Sequence, residues 1–340
     1  MASYLGYNFD PEIFYLNWQQ EADPTLTALL DSGVVQENAA IRELIANGGD
    51  AYTIPIYDVL SGTVLNYDGA TDITASETTG KGQSGIVYGR MAAWSEKQFV
   101  RDYNSGADPM RQITSQTAKF WQKERQKILL KILSGVFGVT SNANWSKHSV
   151  NITASSGSVG AENKVGASTA AEAIQAAVGD NSDIFTLAIM HSAVALNLAK
   201  LEQLTFRTQT DANGMQRQLR LADWNGLTVI VDDGIPVASS SGVSGANEYT
   251  TYLMGRGAIQ YAPGTVTEPV ETQRDAMAAG GTNYLITRVR ETLHPNGFTF
   301  TKPSSGYTAS PTDAQLAAKA NWSVVGNPKN IAMAQLITNG

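Results

Sequence analysis

Not one cysteine occurs in this chain of 340 residues. Disulfides, thiolate metal sites and cysteine nucleophiles are therefore excluded, and stability has to come from packing. Histidine is nearly as scarce: His148, His191 and His294 fall in a polar loop, at a strand end and in a turn, with no metal-ligand spacing between any two of them. Charge is thin as well, at 16% of residues against 42% hydrophobic, a balance that favours burial in contacts. No apolar run approaches the roughly 18 residues of a membrane span, and no basic stretch followed by an apolar one opens the chain, so neither membrane association nor export is expected. The sequence reads as that of a protein made and kept in the cytosol. A pI near 5.1 argues against a dedicated nucleic-acid reader, so any contact with a polyanion must be local.

Catalytic motifs are missing too. Gly80-Lys81-Gly82-Gln83-Ser84-Gly85 has glycine, lysine and serine without the spacing of a phosphate-cradling loop. Asp232-Asp233-Gly234 is half of a calcium loop whose other ligands and closing Glu are absent, and reads as a turn. No Gly-x-Ser-x-Gly elbow singles out a serine. The sequence therefore offers no catalytic residue, no cofactor and no metal, and an enzyme is not expected.

What is present begins with Asp108 to Phe137. Asp108 is a good N-cap and Pro109 suits the first helical position. Met110, Ile113, Thr117, Phe120, Trp121, Ile128, Ile132 and Val136 recur at three- and four-residue steps, which predicts one core-facing stripe on a helix of about 27 residues, roughly 40 Å long. The opposite face carries Lys119, Lys123, Lys127 and Lys131 at i,i+4 steps, with Arg111 and Arg125 nearby. Six basic against two acidic residues give this segment +4 and leave −11 of the overall −7 to the remainder. Such a row is ordinarily a solvated face, and the sharper alternative is a basic ridge facing a polyanion.

Residues 1–50 open with Tyr4, Tyr7, Phe9, Phe14, Tyr15 and Trp18, too many aromatics to stay in water, and read as an arm with short helices at Pro24–Leu30 and Asn38–Ala46. Ala51 to Leu60 and Gly85 to Val100 predict the two strands of a long hairpin, with Pro55 placing the first at a sheet edge and Ser61 to Ser84 as a polar, Gly-rich tip. Thr140 to Ser168 reads as a surface loop and boundary. Helices at Ser168–Val178 and His191–Leu201 then alternate with the apolar strands Phe185–Met190 and Gly226–Val231, the pattern of a small α/β layer. Strands follow at Thr250–Leu253 and Gly257–Tyr261, then an acidic-basic stretch at Glu268–Asp275. Asn283 to Thr301 predicts an antiparallel hairpin about His294-Pro295-Asn296-Gly297, and Thr312–Ala320 and Ile331–Ile337 a closing helix and strand.

The order of these parts resembles the major capsid protein of tailed bacteriophages, the Hong Kong-type capsid fold shared with encapsulins. The resemblance is carried by the Asp108–Phe137 helix, the Ala188–Val194 run AIMHSAV, Trp224–Asp233 (WNGLTVIVDD), Tyr252–Ile259 (YLMGRGAI), Val270–Asp275 (VETQRD), His294–Phe298 (HPNGF) and the closing Asn321-Trp322 and Pro328–Ile331. It implies an α+β capsid fold with an N-terminal arm (1–50), an extended hairpin loop (51–100), a peripheral domain with a spine helix (101–164), an axial domain (165–280) and returning, mostly peripheral strands (281–340). It further implies a structural virion protein that self-assembles as hexamers and pentamers into an icosahedral shell enclosing double-stranded DNA, located in the virion capsid and assembled in the host bacterial cytoplasm. The implied partners are copies of itself, a portal, a separate scaffolding protein (Met1 is not followed by a long charged leader) and DNA bound without sequence preference. Lys119, Lys123 and Lys127 would then face the interior and the DNA, and Phe14, Trp18, Tyr57 and Lys81 would contact neighbouring subunits. Some family members cross-link subunits through a loop lysine and an asparagine; Lys81 lies near the loop tip, but no asparagine matches, and that chemistry is not expected. The alternatives are an encapsulin-type nanocompartment shell, another phage virion protein such as a tail protein and, more distantly, an α/β enzyme.

Overall fold

The computed structural model describes residues 3–4, 7–8, 33–57, 62–67, 72, 75, 80–97, 109–202, 204–210, 216–240 and 242–340. Its first half contains strands β1 (Ser3–Tyr4), β2 (Tyr7–Asn8), β3 (Val35–Glu37), β4 (Ala51–Tyr57), β5 (Gly80–Ile86), β6 (Tyr88–Lys97) and β7 (Ser149–Asn151), with helices α1 (Ala39–Ala46), α2 (Pro109–Phe137) and α3 (Ala143–Ser146). Next come α4 (Thr169–Val178), β8 (Phe185–Met190), α5 (Ser192–Lys200), β9 (Thr205–Thr210), β10 (Gln216–Trp224), β11 (Leu227–Val231), β12 (Val237–Ser239) and β13 (Asn247–Gly255). The remainder is β14 (Ile259–Pro263), β15 (Val270–Asp275), β16 (Thr282–Pro295), β17 (Phe298–Phe300), α6 (Asp313–Ala317), β18 (Trp322–Val324) and β19 (Met333–Thr338).

The long helix α2 lies where the sequence puts it. Thr117, Trp121, Ile128, Ile132 and Val136 are buried, while Phe120 is 38% exposed and stands edge-on to Trp94. The side chains of Met110 and Ile113 lie outside the described ones. From Ile128 onward the helix is enclosed on more than one face, because Leu129, Leu130, Leu133 and Phe137 are buried beside the expected stripe. Each such aliphatic contributes about 1.5–3 kcal/mol relative to exposure. Gly135 marks the tightest approach: a Cβ there would sit 2.5 Å from the Leu316 carbonyl oxygen and 2.8 Å from Trp322 Nε1.

Eight strands form the larger sheet, in the order β7-β19-β13-β8-β11-β10-β9 with β12 alongside β13. At its centre β8 and β11 run parallel, joined through α5 and the β9–β10 pair, and strict alternation sends their side chains to opposite faces. Leu187, Ile189, Ile230, Tyr252 and Met254 face α2, whereas Ala188, Met190, Val229, Leu253 and Leu336 face α4 and α5. Both faces are covered, which is why these strands read as unbroken apolar runs.

Five strands form the second sheet, β15-β16-β14-β3 with β6 on the other side of β16. Its members β14 and β15 fall within the 165–280 stretch expected to be one domain, yet they share this sheet with β3 and β6. β15 is the acidic-basic stretch, a strand the sequence did not announce: apart from Val270 its side chains are half-buried or exposed, because among the described residues it pairs only with β16.

Three expectations change in detail. Ala51–Tyr57 pairs with Gly80–Ile86 and not with the following run, and Tyr88–Lys97 crosses to β16. Pro55 does lie on an edge strand, as its missing N–H requires. The turn at Asn296-Gly297 is present, with Gly297 at φ +85, but β17 pairs with β18 and not with β16. The polar stretch after α2 is no surface loop throughout: Asn142 caps α3, Trp145 is fully buried with its Nε1 donating to the Val136 carbonyl at 3.1 Å, and His148 is buried behind it. The expected helix at 24–30 lies outside the described residues.

Candidate functional site

Three features of the described residues involve groups that could do more than fill a core. The first is a buried charge cluster that fastens α2 to the second sheet. Arg125 Nε lies 3.1 and 3.0 Å from the two Glu291 oxygens, and a terminal nitrogen lies 2.9 Å from Oε2. Tyr88 Oη donates to Oε1 at 3.0 Å and Tyr261 Oη to Oε2 at 3.4 Å, and the guanidinium lies 5.5 Å from the centre of the Tyr261 ring. Burial alone would lower the Arg125 pKa, but Glu291 and the phenols beside it hold it above its ordinary value. Burial, and then Glu291, push both phenols up, so they stay protonated and keep donating. With side-chain exposure of 19% for Arg125 and 5% for Glu291, the cluster ties α2 to β16 and works as a fastening.

The second feature is a groove of about 1050 Å³ between α2, α5 and the turn after β11. Lys123, Lys127 and Lys131 line it from α2, Leu130, Ala195 and Leu196 give it an apolar floor, and Asp232 and Asp233 line it from the turn after β11, Asp232 reaching α2 through Gln126. The aspartates are engaged: Asp232 accepts from Gln126 Nε2 and, at 2.8 Å, from Gly234 N, while Asp233 accepts from Ser192 N at 3.1 Å at the start of α5. Of the lysines, Lys127 has only a 3.4 Å contact with exposed-face Glu124, and no ion pair reaches Lys123 or Lys131 among the described residues. Leu196 is 58% exposed.

The third is a cavity of about 480 Å³ beside β5, lined by Lys81, Arg256, Asn296, Asn327 and Asn330 among others. Lys81 is exposed there, opposite Ile56 on β4. Among the described residues no three His, Asp or Glu side chains converge as a metal site, and no helix is long and apolar enough to cross a membrane.

Comparison with known proteins assigns these parts to a family. Residues 84–291 match the family described as phage capsid protein. The chain is 32% identical over 313 residues, 91% of its length and 90% of the relative's, to the major capsid protein of Bacillus phage SPP1. The chain belongs to the phage capsid protein family. Its fold is that of capsid structures: the capsid of Ralstonia phage GP4 matches at a TM-score of 0.58 and 12% identity, covering 90% of this chain and 87% of that one. The cyanophage Pam1 capsid asymmetric unit matches at 0.52 and 10% identity, over 86% and 85% of the two chains. The chain is a structural capsid subunit.

The capsid family gives the sequence-predicted residues a common frame. Lys119, Lys123 and Lys127 are all exposed, but they do not form one plane. An i,i+4 row winds about 40° around a helix at each step, and Lys123, Lys127 and Lys131 line the groove while Lys119, one turn earlier, does not. Arg125, counted with the ridge by its neighbours, is instead on the core side. It lies four residues after Trp121 and three before Ile128, a spacing that could have placed it there. Tyr57 ends β4 opposite Gly80, and its side chain lies outside the described ones. Phe14 and Trp18 also lie outside the described residues. Exposed apolar side chains missed by the sequence are Met91 on β6 and Met277 at the tip joining β15 to β16, 80% and 95% exposed.

Proposed function

We propose that this chain is the major capsid subunit of a tailed bacteriophage, assembling as hexamers and pentamers into an icosahedral shell around double-stranded DNA. The observation that carries the proposal is the 32% identity to a major capsid protein over 91% of this chain and 90% of the relative. The architecture supports it: a strut helix fastened by a buried charge cluster, and a β4–β5 hairpin whose Val64 and Tyr67 are 97% and 99% exposed. Apolar groups held in water at that level suit a subunit whose neighbours cover them.

In this proposal α2 is the spine of a peripheral unit with the second sheet, the larger sheet with α4 and α5 is the axial unit, and β4–β5 with its tip is the extended loop over a neighbour. Phe14, Trp18, Tyr57 and Lys81 contact adjacent subunits, and Lys119 faces packaged DNA and acts by charge alone. A separate scaffolding protein and a portal take part in assembly in the host cytoplasm. Electron microscopy of the purified protein, with and without co-expressed scaffold, tests it. Closed shells are expected; discrete small oligomers at high concentration under both conditions would overturn it.

A further inference from the structure

The groove between α2 and α5 has an apolar floor, a basic wall on which no ion pair reaches Lys123 or Lys131 among the described residues, and two aspartates already engaged by Gln126, Gly234 and Ser192. Its occupant must therefore be apolar on one side and acidic on another. The chain itself carries a segment of the required kind. Residues 1–32 contain Asp10, Glu12, Glu21, Asp23 and Asp31 and not one Lys or Arg. Within them the sequence predicts the short helix Pro24–Leu30, with Leu26, Leu29 and Leu30 at one-face spacing, Glu21 and Asp23 before it and Asp31 after it.

We infer that the lysine-walled groove receives the acidic amino-terminal arm of a second copy of the chain, with Leu26, Leu29 and Leu30 on the Leu196 floor and Glu21, Asp23 or Asp31 against Lys123, Lys127 and Lys131. This deepens the shell-subunit reading and rests on it. The segment 9–32 can span up to roughly 80 Å when extended, enough to leave its own subunit. Three lysines at i,i+4 steps repel one another by a few tenths of a kcal/mol per pair, and a carboxylate placed among them reverses the sign. Pairing across the groove is partly sheltered from salt by the apolar floor, so it fixes register as well as attraction.

The absence of native cysteine makes the test clean. Leu196→Cys is placed on one population, and Leu26→Cys, Leu29→Cys or Leu30→Cys on another. Shells are formed from the mixture under reducing conditions and then oxidised. Failure of the reduced single-cysteine and parent proteins alike to form shells would count against the shell reading itself, separately from the arm. Given shells, a disulfide-linked dimer from at least one mixture is expected. No dimer from any of the three, or only an intrachain bridge when both cysteines share one chain, overturns the inference. A second measurement uses charge. Lys123→Glu with Lys127→Glu, checked for native circular dichroism, is expected to slow shell formation at least tenfold, and Glu21→Lys with Asp23→Lys on the arm to restore most of it. The milder Lys123→Gln with Lys127→Gln replaces it if the reversal does not fold. Normal assembly with lost DNA retention would assign the wall to nucleic acid, and a defect overcome by excess scaffold but not by the arm swap would assign it to scaffold; either result overturns the inference.

Discussion

Glu291→Gln probes the fastening of α2 most directly. The substitution keeps the shape and one acceptor oxygen but removes the charge that faces Arg125 at 2.9 to 3.1 Å. Side-chain exposure is 19% for Arg125 and 5% for Glu291, so the guanidinium left behind stays largely out of water without its counter-ion. Breaking one side of a buried pair typically costs about 3–5 kcal/mol, well above the ~1 kcal/mol of a surface pair. The Tyr88 phenol also trades a charged acceptor for a neutral one, which adds to the loss in the same direction. For a chain of this length, near ~1.4 °C per kcal/mol, the expected fall in Tm is roughly 4–7 °C. The measurement is thermal and urea unfolding of unassembled subunit by circular dichroism, at low concentration so that assembly does not add apparent stability. A double-mutant cycle sharpens it: Arg125→Met with Glu291→Met removes both charges, and is expected to cost less than Glu291→Gln alone. A Glu291→Gln subunit within 1 kcal/mol of the parent, or two single losses that simply add in the double variant, would refute the fastening.

Gly135→Ala should destabilise the subunit by about 1–3 kcal/mol in the same assay, because the helix propensity gained is smaller than the clash of a Cβ 2.5 Å from the Leu316 oxygen; a neutral or stabilising result would mean that the 312–322 segment moves freely. Stability should also fall as pH drops from 6.5 toward 4. Burial lowers His294 from 6.5 to about 4 in the folded chain, so in that window the unfolded chain binds a proton that the folded one refuses. The His294 contribution is therefore complete above 6.5, shrinks as pH falls and reaches roughly 3 kcal/mol of loss by pH 4, with His148 shifted by burial in the same direction. Urea midpoints of parent and His294→Gln at pH 7 and 4.5 check it, with a smaller pH difference expected for the variant. Replacing 58–79 by a short Gly/Ser turn between β4 and β5 should leave a cooperatively folding subunit that no longer forms shells, since Val64 and Tyr67 make no core; loss of folding would show that the tip is part of the subunit's own structure.

The long helix α2 and the parallel pair β8 and β11 were legible because their burial is periodic in the sequence: one stripe at helical spacing, and two apolar runs covered on both faces. β5 was not, because Gly80-Lys81-Gly82 looks like loop, and what holds it is backbone pairing with β4 that leaves those three residues exposed. β15 hid for the same reason, its exposed charges masking a strand that borrows its order from β16. Arg125 was misread from its nearest charged neighbours. Its partner is 166 residues away in a strand, and no local pattern connects Glu291 to α2. The polar surroundings of Trp145 hid a tryptophan stacked between Phe137 and His148.

The lysine row shows why surfaces are harder to read than cores. The sequence displays Lys119, Lys123, Lys127, Lys131 and then Gly135 at equal steps, and equal steps look like one face. On a real helix the row winds, so it starts in open solvent at Lys119, enters a groove at Lys123 and ends at Gly135 beneath the Leu316 carbonyl and Trp322. The glycine is where the row meets the core, and its missing side chain is what lets the chain close over the helix. The groove's other walls come from 192–199 and 231–236, far along the chain, so neither its apolar floor nor its opposed charges exist until the larger sheet has brought α5 and the β11 turn against α2. A charge row on a helix thus acquires its meaning from what folds up beside it, and here that neighbour turns half of a solvated face into a wall that an acidic, apolar segment can grip.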